Sequence, residues 1–185
     1  MLVSARGAAE ILLVAGLTRD EARHLSLAGF AGPGQRTSGA VLYDEEQVRE
    51  LAMWPTVEDE TVDRLCPFGM FVGRVARGRP IDVAGDRVAL ADAVKGGWKV
   101  SLLARVLIAG RIERFGPMPF LATVCGYVGF GADIVALEVD RLGRTTFTLS
   151  DAGSWFEGFD QRCLPAGAGR SSFIWGRPPP YHSPG

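Results

Sequence analysis

The sequence predicts an α+β protein in two parts: three helices around a short β-hairpin over residues 1–56, then a small α+β module with antiparallel strands over residues 61–176. Three observations carry this. The first fifty residues show the apolar spacing of helices, each opened by a capping side chain and the first two closed by glycine. Later comes a glycine-punctuated series of β-prone runs that also holds two capped helical stretches. A composition of 47% hydrophobic and 22% charged residues in 185 excludes disordered and fibrous classes and is enough for a real core.

Ser4 opens the first helix, whose Ala8, Ile11, Leu12 and Ala15 follow the i, i+3, i+4, i+7 spacing up to Gly16. Thr18 with Glu21 forms a capping box for a second helix that turns Ala22, Leu25 and Ala28 inward before Gly29. The run Gly32 to Gly39 is too rich in glycine and polar groups for regular structure, and lying before the β-prone Val41-Leu42-Tyr43 it reads as a hairpin tip. Asp44 caps a third helix through Val48 and Leu51, closed by Trp54-Pro55 before the acidic stretch Glu58-Asp59-Glu60.

In the second part, Phe68 to Ala76 reads as a strand, Asp86 caps a helix from Arg87 to Lys95, and Ser101 caps another through Ile112. Phe120 to Phe130, Ile134 to Val139 and Thr145 to Leu149 are β-prone, with Asp140 to Arg144 as a hairpin loop between the last two. Phe115 to Ala132 holds no charge over about 18 residues, but its glycines and prolines predict bent strands and not a membrane helix. Residues 177–185 read as a proline-rich tail. The late aromatics Trp155, Phe156, Phe159, Phe173, Trp175 and Tyr181 predict the core of this second part.

Ser4 to Leu12, Leu17 to Leu25 and Val41 to Val48, in the order helix, tight turn, helix, wing, helix, resemble the winged helix-turn-helix domains of the MerR and excisionase type over residues 2–54. The resemblance implies that the second helix enters the major groove of double-stranded DNA and the wing meets the adjacent backbone. It makes Thr18, Arg19, Arg23 and His24 of the second helix the candidate contacts, with Gln35, Arg36, Thr37 and Ser38 of the wing. Their chemistry suits DNA, since arginine bridges guanine O6 and N7 or holds a phosphate, and amides and hydroxyls position a protein on the backbone. The competing role for Arg19 and Arg23 is a solvated helix face paired with Asp20 or Glu21.

Charge argues the other way. The chain carries net −1, and residues 1–60 set five arginines against ten carboxylates, so counterion release from that part alone is small. Residues 61–185 carry +4, and a second protomer or the second part would supply further phosphate contacts.

Cys66, Cys125 and Cys163 form no C-x-x-C pair and only His24 and His182 accompany them, so neither a disulfide framework nor a metal site is expected. Met1 to Gly16 lacks the basic flank of a signal peptide, and a cytoplasmic protein is expected. Residues 126–131 lack the G-x-G-x-x-G spacing of a dinucleotide loop, and no cofactor is expected. The leading expectation is a non-enzymatic, homodimeric DNA-binding regulator whose second part dimerises or senses a small molecule. The rivals are a protein-interaction adaptor and an enzyme using carboxylates such as Asp133, Glu138 or Asp151.

Overall fold

A computed structural model of the chain describes residues 1–76, 79–165 and 172–176. Among these residues the chain is mixed α+β, with six α-helices and two β-sheets. The amino-terminal region contains β1 (Leu2–Ser4), α1 (Ala5–Val14), α2 (Arg19–Leu27), β2 (Gln35–Arg36), β3 (Val41–Asp44) and α3 (Glu45–Ala52). Each of its helices starts where the sequence places a cap. Ser4 Oγ accepts from the Gly7 N–H at 3.2 Å, Thr18 and Glu21 cap one another reciprocally, and Asp44 Oδ1 accepts from Glu46 at 2.8 Å. Ala8 and Leu12 of α1, Ala22 and Leu25 of α2, and Val48 and Leu51 of α3 meet in one buried cluster.

Two details of this region differ from expectation. Gln35–Arg36, read as part of an irregular tip, is a strand paired with Leu42 and Val41, and the reversal itself is Thr37 to Ala40. Thr37 closes it by donating from its backbone N–H and its hydroxyl to the Ala40 carbonyl. The second is β1, which pairs antiparallel with β3 and completes a three-stranded sheet in the order β1-β3-β2. Three residues ahead of a helix cap carry no period, so nothing local signals such a strand.

The rest of the chain contains α4 (Asp59–Leu65), β4 (Met70–Arg74), α5 (Arg87–Val94), α6 (Leu102–Phe115), β5 (Met118–Val124), β6 (Tyr127–Val139), β7 (Thr145–Asp151), a 3-10 turn (Ser154–Gly158) and β8 (Ser172–Trp175). Five strands form one sheet in the order β7-β6-β5-β4-β8. The expected antiparallel strands are found in three of its four pairings, while β4 and β5 are parallel, because α5 and α6 intervene as the long crossover that parallel neighbours require. The expected single run Phe120 to Phe130 is two strands, β5 and β6, reversed at Cys125-Gly126. The acidic stretch after Pro55 opens α4, with Asp59 and Glu60 in its first turn, where carboxylates suit the helix dipole.

Alternation along the strands divides the core. Phe71, Met118, Phe120, Ala122, Ile134 and Phe147 face α5 and α6, together with Leu90, Val94 and Ile108. Met70, Val72 and Leu121 face α4 and the 3-10 turn, with Val62, Cys66 and Phe159. Trp155, Phe156, Phe173 and Trp175 pack against this second cluster, as expected for the late aromatics; Tyr181 lies outside the described residues. Gly73 leaves the space in which the benzo ring of Trp98 lies against β4.

The amino-terminal helices share the first of these clusters with the sheet. Phe30, Trp54 and Tyr127 form a triangle of rings with centroids 5.8–6.2 Å apart. Residues 55–57 run beside Cys163, which donates its N–H to the Pro55 carbonyl and accepts from Val57. No helix among the described residues is long and apolar enough to cross a membrane.

Candidate nucleic-acid interface

The buried face of α2 consists of Ala22, Leu25 and Ser26, and its remaining surface splits into two sides. Arg19, Arg23 and Leu27, spaced by four, face a groove of about 570 Å³ shared with Arg6, Glu10 and Leu13 of α1 and Val41 and Tyr43 of β3. The wing borders this groove through β3, and Arg36 is in register with Val41. Three guanidinium groups therefore line it against a single carboxylate, Glu10, which Arg6 already meets at 3.2 Å. The surplus of carboxylates in residues 1–60 lies largely elsewhere: Asp44 is a helix cap and Glu45 is paired with Arg49 at 2.6 Å.

The sequence-predicted contacts divide accordingly. Arg19 and Arg23 come together in the groove, and Gln35, Arg36 and Ser38 are exposed on the wing. Thr18 is committed to its own helix end: its hydroxyl donates to Glu21 Oε2 at 2.7 Å and accepts from the Glu21 N–H. Thr37 has its hydroxyl engaged in the wing reversal. His24 sits on the other side of α2, half-buried, with Nδ1 3.6 Å from Cys125 Sγ at the β5–β6 turn. Arg6 joins the groove although no motif singles it out; its place there depends on how α1 crosses α2, which local spacing does not carry.

The β5–β6 reversal is a two-residue loop, Val124 pairing with Tyr127, with φ at 51° for Cys125 and 89° for Gly126. Positive φ at both central residues marks the primed hairpin turns, in which Asn-Gly is the favoured pair. A β-carbon in the left-handed region costs roughly 1–2 kcal/mol, so cysteine is there against the preference of the backbone.

The carboxylates considered for catalysis are not brought together. Asp133 accepts from the Gly153 N–H and the Trp155 Nε1–H, each at 2.9 Å, and so fixes the 3-10 turn. Glu138 and Asp151 are exposed. No group of three metal-ligating side chains exists among the described residues. His182 and residues 167–170 lie outside them.

On the far side of the sheet from α4, α6 leaves much of its length open. Leu102, Leu103 and Val106 are exposed, and Phe68 and Phe115 stack at 4.1 Å beside a cleft of about 420 Å³. Comparison with known protein families, with curated proteins and with solved structures finds no match to this chain.

Proposed function

We propose that the chain is a sequence-specific DNA-binding regulator in which the first 56 residues act as a winged helix-turn-helix and the remainder as a dimerisation module. The observation that carries this reading is the groove of α2: Arg19, Arg23 and Arg6 gather beside the wing in a region whose overall charge is negative. In the mechanism, α2 enters the major groove, Arg23 reaches a base edge, and Arg36 with the exposed Gln35 and Ser38 fixes the register on phosphates. The open apolar face of α6 supports pairing of two copies, which would present two such helices to paired half-sites.

Retention of genomic DNA fragments by the purified protein at two salt concentrations tests the reading. With Arg6, Arg19, Arg23 and Arg36 on phosphates or bases, each protomer neutralises at most about four charges and the pair about eight, so affinity should fall by roughly 10⁴-fold between 50 and 200 mM salt. Enrichment of no fragment at the lower salt would refute it and favour the adaptor role.

A further inference from the structure

We propose that Cys125 and His24 form a thiol–imidazole pair through which a small hydroperoxide oxidises Cys125 and thereby changes its contact with α2. The pair joins two parts of the chain 101 residues apart. Its thiol stands at a left-handed turn position that the backbone would rather give to asparagine, and a residue held against such a preference points to a role outside the turn. Its imidazole stands on the helix whose neighbouring side carries Arg19 and Arg23. Tyr127, Cys163 and Glu21 are the other titratable groups at this seam, Tyr127 being hydrogen-bonded to Cys163.

The three cysteines differ in reactivity for physical reasons. Cys66 is 2% exposed and burial pushes its thiol up to about 12. Burial likewise pushes Cys163 up to about 11, although its hydrogen bond with Tyr127 works against this. Cys125 is partly exposed and has a base at 3.6 Å, the arrangement that activates a thiol. In the reaction, His24 takes the thiol proton and the sulfur attacks one peroxide oxygen. An S–O bond forms and the O–O bond breaks. The leaving oxygen takes the proton from the imidazolium, giving water or an alcohol. Sulfur loses two electrons and the peroxide gains them, leaving a sulfenic acid. Oxidation replaces the thiol that meets His24 Nδ1 at 3.6 Å by a bulkier S–OH group, which changes the contact by which the β5–β6 turn, fixed by two paired strands, meets α2.

The consequence for DNA rests on the function proposed above; the reactivity of the thiol does not. The full-length, reduced protein is treated with hydrogen peroxide in the presence of dimedone, and adducts are mapped by mass spectrometry. Cys125 should be trapped at least about tenfold faster than Cys66 or Cys163, and His24→Asn should slow it by about tenfold. Equal rates at Cys125 and Cys163, or an unchanged Cys125 rate in a folded His24→Asn protein, overturn the pair. Should that variant fail to fold, the pH profile of iodoacetamide alkylation of the wild type decides. An inflection at least about one unit below the free-thiol value near 8.5 supports the pair, and one at that value overturns it.

Oxidised protein should bind DNA at least about fivefold more weakly than reduced protein, with Cys125→Ser insensitive to peroxide. Equal affinity of the oxidised and reduced forms overturns the link to α2. If reduced protein binds no DNA, the proposed function fails, while the trapping rates still decide the thiol pair.

Discussion

Replacing Gly73 by alanine places a methyl group against a ring that has nowhere to go. An added β-carbon would stand 2.5, 2.8 and 2.9 Å from Cη2, Cζ2 and Cζ3 of Trp98, well inside contact distance. Trp98 is 3% exposed, its indole N–H donates to the Val94 carbonyl at 2.8 Å, and it packs edge-on against Phe71 and Phe120. The guanidinium of Arg79 lies 5.3 Å from its ring centroid, covering the remaining side. Relief must therefore come from β4 itself, and overpacking of this kind costs about 2 kcal/mol within a usual span of 1–3. For a chain of this size that lowers Tm by roughly 4–8 °C. Thermal unfolding followed by circular dichroism reads it directly. The double variant Gly73→Ala with Trp98→Phe removes the clashing ring edge and should recover part of the loss, giving a coupling of about 1 kcal/mol. A Gly73→Ala protein melting within about 1 °C of wild type would show that Trp98 is not held as described.

At the interface, Arg36→Ala should weaken binding alike for all DNA sequences and lower the salt slope by about 1 for each protomer bound, measured by salt titration of a fluorescent duplex. Arg23→Ala should cost about 1–3 kcal/mol on the preferred site and relax one base pair of the motif recovered by randomised-site selection; identical motifs would assign Arg23 to backbone or solvent. On α6, Leu103→Glu together with Val106→Glu should turn a dimer into a monomer in analytical ultracentrifugation while leaving the far-ultraviolet circular dichroism spectrum unchanged, since both side chains are exposed. Stability should also decline at alkaline pH. Burial raises the Cys66 thiol from 9.0 to about 12 and Cys163 from 9.0 to about 11, so the folded state holds protons that the unfolded state releases. Their contribution is complete below pH 9 and is lost as pH rises through that window, and Cys66→Ala should flatten the decline in urea titrations at successive pH values.

The helices of the first fifty residues were legible because their signals are local: Ser4, Thr18 and Asp44 each cap the helix their spacing announces, as Asp86 and Ser101 do further on. The β6–β7 hairpin around Asp140 to Arg144 was legible for the same reason, as a turn cluster between two β-prone runs. What escaped depends on partners distant in sequence. Leu2 to Ser4 becomes a strand only because β3 lies alongside it, and β8 only because β4 offers an edge about a hundred residues earlier. The same holds for the candidate site. Arg19 and Arg23 on one face follow from a period of 3.6, but Arg6 beside them follows from helix crossing. His24 turns away from that groove because α2 has a neighbour on its other side, at Cys125, which no pattern within residues 1–56 announces.

The triangle of Phe30, Trp54 and Tyr127 also sets a schedule for synthesis. The second ring emerges from the ribosome 24 residues behind the first, but the third member follows 73 residues behind Trp54, about 4–15 s later at ordinary elongation rates. Cys163, whose backbone clasps residues 55–57, comes later still. During that interval the nascent amino-terminal helices present an uncovered aromatic surface, the kind of surface that holdase chaperones bind. An early stop codon in the second half of the message would therefore release a fragment with its helices made and their supporting wall missing, a substrate for proteolysis and not a small working domain.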